Sequence, residues 1–154
     1  MDKPVRKAVR TIIIQNDNVL AIKYLTKKNN GFYDIPGGQI ETGETNLTAS
    51  MRECLEETGI EIIKQKYIGN LIIEYPNMIF NIDVIICSNF KGRPGVFTEN
   101  EAMWIKIEEL IKKEKILPCI EILKNQHKNY IKREDFHIKF IVDKFHNIKK
   151  ILYW

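Results

Sequence analysis

Residues 38–60 read GQIETGETNLTASMRECLEETGI, and this stretch decides which fold and which site we expect. Its second half predicts a helix over 46–58, with Thr45 or Asn46 as the N-cap and Gly59 ending the helix in a left-handed conformation. Successive residues turn by about 100° around a helix, so side chains at positions i, i+3 and i+4 share one face. One face therefore carries the carboxylates of Glu53, Glu56 and Glu57.

The two faces of this helix differ in chemistry. The side opposite the carboxylates is the one that we expect to be buried, and it carries Leu47, Met51, Cys54, Leu55 and Thr58. The acidic side should stay near solvent. Like charges on one face repel one another, so the cluster destabilises the protein unless a cation neutralises it. The sequence therefore predicts a site for a divalent metal ion.

The spacing of these residues resembles the Nudix box, whose pattern is GX5EX7REUXEEXGU with U an aliphatic residue. The matching positions are Gly38, Glu44, Arg52, Glu53, Glu56, Glu57, Gly59 and Ile60. Cys54 stands at an aliphatic position of the pattern, and cysteine can replace an aliphatic residue because it behaves as a small buried hydrophobe. The flanking segments resemble the MutT-like branch of the Nudix hydrolase family over most of the first ~110 residues.

Resemblance to this family implies an α/β fold, an α/β/α sandwich with a mixed β-sheet, and a metal-dependent hydrolase. It implies that Glu56 and Glu57 are the principal metal ligands. It also implies that Glu53 is a further ligand or the general base, and that the Gly38 carbonyl oxygen is a ligand. Mg²⁺ prefers octahedral oxygen coordination and keeps several waters, which suits an open group of carboxylates. We therefore expect Mg²⁺ as the cofactor, with Mn²⁺ as the alternative.

Arg52 and Glu44 complete the box residues with expected catalytic roles. Arg52 lies about 100° around the helix from Glu53. We therefore expect it to orient a carboxylate or to tie the helix to the preceding loop, rather than to contact substrate. Glu44 precedes the helix, where it would either turn towards the metal or interact with the positive end of the helix dipole. The sequence does not choose between these two roles.

Five residues outside the box are candidates for substrate binding. Glu99 and Glu101 lie in a region where related enzymes often supply a further carboxylate, although a solvated loop acid explains each of them equally well. Lys23 lies where MutT-like proteins have a basic residue that contacts substrate phosphate, and an exposed strand lysine is the alternative. Tyr75 and Phe80 could stack on a base, or they could be core aromatic residues.

Neither the cysteines nor the histidines have the spacing of metal ligands. Cys54, Cys87 and Cys119 are odd in number and lie in apolar surroundings, so we expect reduced thiols in a cytoplasmic protein. The histidines are expected to be structural or surface residues. They are His127, His137 and His146.

The rest of the sequence predicts strands around the box helix, within one domain of residues 1–154. Strands are expected at 5–14, 19–26, 32–35, 67–75, 78–87 and 103–107. Helices are expected at 108–115 and 120–130, the second because apolar residues recur there at helical spacing. A final hairpin with strands at 136–142 and 148–154 would form a C-terminal extension at 135–154, whose role the sequence leaves open.

The composition is that of an ordinary globular protein, with 44% hydrophobic and 29% charged residues among 154. The net charge of +4 comes from scattered lysines, so a nucleic-acid partner is not indicated. The first residues, MDKPVRKAVR, lack the apolar stretch of a signal peptide, and no run reaches membrane-spanning length. We expect a cytoplasmic protein with no membrane partner. Its oligomeric state stays open, with a homodimer among the alternatives.

The expected reaction is hydrolysis of the diphosphate linkage of a nucleotide derivative. Resemblance favours a nucleoside triphosphate, with oxidised purine forms among the candidates, cleaved to monophosphate and pyrophosphate. Two positions depart from the MutT-like pattern: Gln39 stands where Lys is common, and Leu117-Pro118-Cys119 stands where a base-reading Asn is placed. The alternative substrate is ADP-ribose, another nucleotide sugar or a dinucleotide. Pro76 supports it, because this proline lies at about the distance from the box associated with ADP-ribose hydrolysis. A proline in a hairpin turn explains Pro76 equally well. A non-catalytic nucleotide- or RNA-binding regulator is less favoured, because such modules commonly lose box carboxylates.

Overall fold

The computed structural model of the chain describes residues 2–133 and 135–154; Met1 and Glu134, which the predicted domain also includes, lie outside the described residues. The helices are α1 (Asn46–Thr58), α2 (Ile107–Leu110) and α3 (Lys128–Ile131), with 3-10 turns at Pro118–Leu123 and Asn125–His127. The strands are β1 (Val5–Gln15), β2 (Asn18–Tyr24), β3 (Tyr33–Asp34), β4 (Gly37–Gln39), β5 (Glu61–Tyr75), β6 (Met78–Lys91), β7 (Asn100–Lys106), β8 (Phe136–Val142) and β9 (Ile148–Tyr153).

The strands join in one mixed sheet within the described residues. Its order is β3-β2-β1-β6-β5-β8-β9, with β4 also paired to β1 and β7 also paired to β2. The β1–β6 and β5–β8 pairs are parallel, whereas the other neighbours are antiparallel. Every hairpin that the sequence predicts is present, including the C-terminal one, which extends the sheet beyond β5.

Alternating residues along the central strands divide the core between the two faces of the sheet. On one face, Val9 and Ile85 pack with Ala49 of α1. On the other face lies the largest cluster, in which neighbouring residues such as Ala8 and Val84 pack with the 3-10 segment Pro118–Leu123. Helical segments therefore cover both faces, and the expected α/β class with a mixed sheet is confirmed.

The prediction of one continuous helix at 120–130 is wrong, because only its last three residues fall in a helix, α3 (Lys128–Ile131). Residues Pro118–Leu123 form a 3-10 turn, and Lys124 then has an extended backbone with ψ 147°. All five residues from Pro118 to Ile122 are buried, so tertiary packing surrounds the segment instead of contacting one helical stripe. The helix expected at 108–115 is also shorter than predicted, because α2 comprises only Ile107–Leu110.

The buried face of α1 also differs from the expectation. Ala49, Ser50, Cys54 and Thr58 are buried, whereas Met51 and Leu55 are exposed. The small residues bring α1 close to β1, where Ser50 and Thr11 share a hydrogen bond of 2.6 Å between their hydroxyl groups. In this orientation Glu53 and Glu57 are only partly exposed, so part of the acidic face is out of solvent. No helix in the described parts of the chain is both long and apolar enough to cross a membrane.

Candidate active site

Helix α1 holds its acidic side chains on a rigid backbone because both helix ends are capped. The Thr48 N–H donates to the Thr45 hydroxyl at 3.1 Å, and the Thr45 N–H donates to the Thr48 hydroxyl at 2.9 Å. At the other end Gly59 has φ 80° and donates its N–H to the Leu55 carbonyl at 3.0 Å. The expected N-cap at Thr45 and the left-handed stop at Gly59 are both confirmed.

The guanidinium of Arg52 joins the acidic residues to the loop before the helix. Its Nε and Nη2 atoms donate to the two carboxylate oxygens of Glu44, at 2.7 and 2.9 Å. Its Nη1 atom donates to Glu53 at 2.8 Å and to Glu56 at 3.3 Å, and Nη2 also donates to the Gln39 carbonyl at 3.1 Å. Arg52 therefore both orients carboxylates and connects α1 to β4.

Two glutamates of α1 lie against the glycines of β4. The Gly37 N–H donates to the Glu57 carboxylate at 2.8 Å. A Cβ atom at Gly38 would lie 2.5 Å from Cδ of Glu53, so only glycine leaves room for this carboxylate. Asn100, which is buried, donates from its amide to the Glu57 carbonyl at 2.6 Å and fixes the β7 side of the site. Glycine is thus required at position 38 for a close approach.

Burial gives the carboxylates unequal acidities. Burial raises the pKa of Glu57 to about 8, although the nearby Arg10 charge and the Gly37 hydrogen bond oppose the shift. Burial also raises the pKa of Glu53, against the opposing hydrogen bond from Arg52. In contrast, the hydrogen bond from Arg52 lowers the pKa of Glu44 to about 2. Buried carboxylates with raised pKa values are typical of sites where a cation or a proton must balance the charge.

The residues around α1 fit a hard divalent cation. Glu53, Glu56 and Glu57 offer only oxygen donors, which magnesium-like ions prefer. The Glu56 side chain is 59% exposed and Glu53 only 16%, so the group opens to solvent on one side. No group of three acidic, His or Cys side chains in residues 2–133 and 135–154 already has a metal-binding arrangement. Arg52 bridges Glu53 and Glu56 through one oxygen of each carboxylate.

A cavity of about 840 Å³ adjoins the β4 glycines. This volume is in the usual range for small-molecule sites. Its walls come from β1, β4, β5, β6, the 3-10 segment and the turn between β8 and β9. Among the lining residues are Arg6, Ala8, Gly38, Gln39, Tyr75, Pro76, Phe80, Leu117, Cys119 and His146.

A buried ion pair forms part of the cavity wall. Nη1 of Arg10 lies 3.4 Å from the Asp34 carboxylate and donates to the Ile35 carbonyl at 2.9 Å. The Ile35 N–H in turn donates to Asp34 at 2.8 Å. Among the described residues, Nε of Arg10 is buried without a hydrogen-bond partner. Burial raises the pKa of Asp34, with Arg10 opposing the shift. The pair gives the cavity wall a fixed donor group.

The predicted substrate-binding residues lie in two different places. Tyr75 and Phe80 both line the cavity and contact each other edge to face, with ring centroids 5.9 Å apart. Lys23 pairs in register with Glu101 between β2 and β7, and neither residue lines the cavity. Glu99 is exposed and is also absent from the cavity lining. Whether these side chains contact substrate stays a prediction.

A family model described as the NUDIX domain matches residues 4–123. The chain belongs to the NUDIX domain family. The matched range contains the capped helix, the β4 glycines and most of the cavity, while β8 and β9 lie outside it. Nudix hydrolases in general depend on a divalent metal ion, which agrees with the oxygen donors around α1.

Proteins similar to this Nudix chain have names that state different activities. An oxidized purine nucleoside triphosphate hydrolase from Danio rerio is 32% identical over 85 residues, covering 54% of this chain and 52% of that protein. An 8-oxo-dGTP diphosphatase from Haemophilus influenzae is 28% identical over 111 residues, covering 69% of this chain and 79% of that protein. An NAD-capped RNA hydrolase NudC from Vibrio atlanticus is 24% identical, covering 64% and 37%. The chain thus spans about half or less of the length of some curated relatives.

Solved structures share the same fold. A MutT protein from Bacillus halodurans has a TM-score of 0.76 at 18% identity, with 96% of this chain and 97% of that chain covered. A MutT protein from Methanosarcina mazei has a TM-score of 0.72 at 21% identity, with coverages of 86% and 99%. At these identities the likeness supports the fold alone. The architecture is therefore the one seen in solved MutT structures.

Sequence reasoning missed three residues of this Nudix site. Arg10 and Asp34 are separated by 24 positions (34 minus 10) and are brought together by the pairing of β1 and β4, which follows Asp34 closely. The one charged residue of the predicted strand 32–35, Asp34, was the available signal. His146, expected to be structural or on the surface, lines the cavity and is hydrogen-bonded to Tyr75. No local pattern predicts this contact, because it depends on how the hairpin joins the sheet.

Proposed function

We propose that this Nudix chain hydrolyses the diphosphate linkage of a nucleotide derivative in a reaction that depends on a divalent metal ion, with Mg²⁺ as the cofactor. One observation carries the proposal. The carboxylates of Glu53 and Glu57 lie against Gly38 and Gly37, and these same two glycines line a nucleotide-sized cavity. A diphosphate extending from the cavity would therefore reach the acidic face of α1.

The residues have distinct proposed roles. Glu56 and Glu57 are the principal ligands, with the Gly38 carbonyl as a further one, and Glu53 is a ligand or the general base. When bound, Mg²⁺ supplies charge neutralisation for the diphosphate and lowers the pKa of a water molecule. Glu53 suits proton removal because burial raises its pKa, and its position against Gly38 restricts its orientation.

Arg52 and Glu44 are proposed as supporting residues of the same reaction. The two-atom hydrogen bond to Glu44 holds the guanidinium in one plane, from which Nη1 reaches Glu53. Thr45, rather than Glu44, caps the helix. The sequence left two roles open for Glu44, one at the metal and one at the positive end of the helix dipole. We favour a role at the metal site, in which Glu44 positions the acidic residues through Arg52.

We propose a nucleoside triphosphate as substrate, with monophosphate and pyrophosphate as products. This choice is supported by two relatives, one named as a nucleoside triphosphate hydrolase and the other as an 8-oxo-dGTP diphosphatase. The cavity wall has Gln39 and Leu117-Pro118-Cys119 at the positions that depart from the MutT-like pattern, so we leave the base open. ADP-ribose, where Pro76 is the supporting residue, is the alternative. A cytoplasmic location is part of the proposal, since all three cysteines are free and buried.

A substrate panel tests the proposal. Purified protein would be incubated with Mg²⁺ or Mn²⁺ and with nucleoside triphosphates, their oxidised forms, ADP-ribose, dinucleoside polyphosphates and capped RNA. Chromatography of the nucleotide product, with separate assays for pyrophosphate and phosphate, identifies the bond that is cleaved. Release of monophosphate and pyrophosphate supports the proposed reaction, and preferential cleavage of ADP-ribose supports the alternative. Metal-independent turnover, or binding of the whole panel without turnover, would overturn the proposal.

A further inference from the structure

The C-terminal hairpin lies outside the matched family range yet reaches the cavity. Strand β8 pairs in parallel with β5 from Gly69 with Phe136 to Glu74 with Ile141. Strand β9 returns beside β8, and the turn between them contributes Lys144 and His146 to the cavity wall. The hairpin therefore extends the sheet and also supplies part of the proposed substrate site.

The turn that carries His146 is held in one conformation by Asp143. One carboxylate oxygen of Asp143 accepts hydrogen bonds from the N–H groups of Phe145 and Asn147, both at 2.9 Å. The other oxygen accepts from the Asn147 side-chain amide at 3.1 Å. His146 itself has φ 71°, a left-handed conformation that non-glycine residues adopt less often. The ring is thus presented from a fixed backbone.

Aromatic neighbours fix the His146 ring at the cavity. Its Nδ1 atom lies 2.8 Å from the Tyr75 hydroxyl. The ring also contacts Tyr75 and Phe32 edge to face, with centroids 5.5 and 5.3 Å apart. Phe80 also contacts Tyr75 edge to face. These contacts form a cluster of flat rings, which suits the binding of another flat ring.

The second nitrogen of His146 is available for recognition. Within residues 2–133 and 135–154, no hydrogen bond involves its Nε2 atom. The hydroxyl of Tyr75 can donate to Nδ1 or accept from it, and in either tautomer Nε2 retains one hydrogen-bonding position. Burial lowers the pKa of His146, with the Lys28 charge acting in the same direction and Asp143 opposing it. A neutral ring is thereby favoured for contact with an uncharged base.

One cavity joins the β4 glycines to the His146 ring. Strand β4 pairs with β1, and β1 is followed across the sheet by β6 and then by β5, the strand of Tyr75. The cavity lining includes residues from each of these four strands. A diphosphate at the β4 glycines would place its nucleoside towards Tyr75 and His146.

We propose that His146 is a specificity-determining residue whose Nε2 atom hydrogen-bonds to the edge of the substrate's nucleobase. This inference rests on the proposed function for the position of the diphosphate. The C-terminal hairpin then selects the substrate, while the residues of the family range carry out the hydrolysis. The acidic residues and Arg52 do not contact His146, so the two roles can be separated experimentally.

The variant His146→Asn tests this role. Asparagine tolerates the left-handed backbone, so the change removes the ring with little added strain. Loss of one hydrogen bond costs about 1 kcal/mol, so KM for the preferred nucleotide should rise about fivefold, with kcat nearly unchanged. Preference among bases should also weaken. The matched control is His137→Asn, because His137 stacks on Trp154 and does not line the cavity. Melting temperatures establish that both variants are folded.

A binding measurement separates this inference from the proposed function. The imidazole C–H signals of the wild-type protein would be followed by NMR during titration with nucleoside monophosphates, which requires no turnover. The His146 signal should shift while that of His137 does not. If hydrolysis occurs but KM, base preference and the His146 signal are all unaffected, the inference is wrong and the proposed function stands. If the signal shifts without hydrolysis of any nucleotide, His146 recognises nucleotides and the proposed reaction is wrong. Absence of both shift and hydrolysis overturns both.

Discussion

Arg52 and Glu44 form a two-atom ion pair, in which Nε and Nη2 donate to separate carboxylate oxygens at 2.7 and 2.9 Å. Glu44 also accepts a hydrogen bond from the Glu41 N–H at 2.8 Å, so the loop before α1 is fastened to the helix at this point. Both side chains are charged at neutral pH, and the hydrogen bond from Arg52 lowers the pKa of Glu44 to about 2, so the ion pair persists well into the acid range. A planar guanidinium matches this geometry and an ammonium does not.

The Glu44 pair should make stability depend on pH in the acid range. The folded-state pKa is about 2 and the ordinary value is 4.5. The stabilisation is therefore fully present above about pH 4.5 and is lost as the pH falls towards 2. Urea unfolding of the wild type and of Glu44→Gln at a series of pH values should show a difference that shrinks over this range. The control Glu108→Gln removes an exposed carboxylate and should give no such trend. A difference that stays constant with pH would contradict the assignment.

Glu56→Gln and Glu57→Gln should each lower turnover severely and leave the fold intact. The amide keeps the shape of the side chain, and in Glu57→Gln the Gly37 N–H can still donate to the amide oxygen, but the negative charge is lost. Charge stabilisation by a bound metal is worth several kcal/mol, so kcat should fall by roughly 100-fold or more. Steady-state kinetics and melting temperatures measure the two effects, with Glu108→Gln as the control. Near-wild-type kcat in both variants would contradict the assignment of Glu56 and Glu57 as metal ligands.

The sequence predicts elements whose signals are local. The cap at Thr45, the stop at Gly59 and the turn before Met78 follow from residues within a few positions of one another, and all three are present. The predicted helix at 120–130 fails at residues 120–123, because burial on all sides of the segment Pro118–Leu123, which the sequence does not reveal, decides the conformation. Long-range packing overrides local propensity there.

In the candidate site, too, the sequence predicts the features with local signals and not those that depend on long-range packing. Spacing along one helix places Glu53, Glu56 and Glu57 together, and the sequence is sufficient for that. It does not reveal that burial against β4 makes Glu57 far less acidic than Glu44, since this depends on how α1 is turned. Nor does it reveal His146 beside Tyr75, 71 positions away, because strand order alone brings them together.

Stabilisation by Mg²⁺ should grow with pH. The pKa of Glu57 is about 8 in the folded state, against an ordinary value of 4.5. Without metal, protonation of Glu57 therefore contributes fully to the free energy of unfolding below pH 4.5, and this contribution is lost as the pH rises through 8. A cation competes with that proton and binds the folded state. Saturating Mg²⁺ should therefore raise the melting temperature more at about pH 8.5 than at about pH 6.5. Glu57→Gln should abolish the pH dependence. An equal shift at both pH values, or no shift, would count against Glu57 as a ligand.

Cys54→Val should preserve both activity and stability. Cys54 is fully buried, and burial raises the pKa of its thiol to about 11. The Thr58 hydroxyl donates to the Cys54 carbonyl and accepts from the Ile60 N–H, so removing the thiol leaves no unsatisfied group. The free energy of unfolding should change by less than about 1.5 kcal/mol.

Two further measurements test the same position. Cys54→Asp should unfold or badly destabilise the protein, because it buries an unpaired charge. In the native wild type, the thiol should react slowly with an alkylating reagent and should react quickly in urea. Rapid native alkylation of Cys54, identified by mass spectrometry of the labelled peptide, would show that the orientation of α1 is wrong.

Gly38→Ala should reduce turnover without unfolding the protein. A Cβ atom at Gly38 would lie 2.5 Å from Cδ of Glu53, so the carboxylate has to move away from the cavity edge. Displacing a catalytic group by about 1 Å can cost roughly 100-fold in rate, and we expect kcat to fall by that order. Gly95→Ala is the matched control, because its Cβ would lie 3.4 Å from the Phe97 ring, at ordinary contact distance. Steady-state kinetics measure kcat, and thermal melting shows whether each variant is folded. Because Glu53 can occupy its position only while residue 38 lacks a side chain, full kcat in folded Gly38→Ala would mean that this position is irrelevant to the reaction.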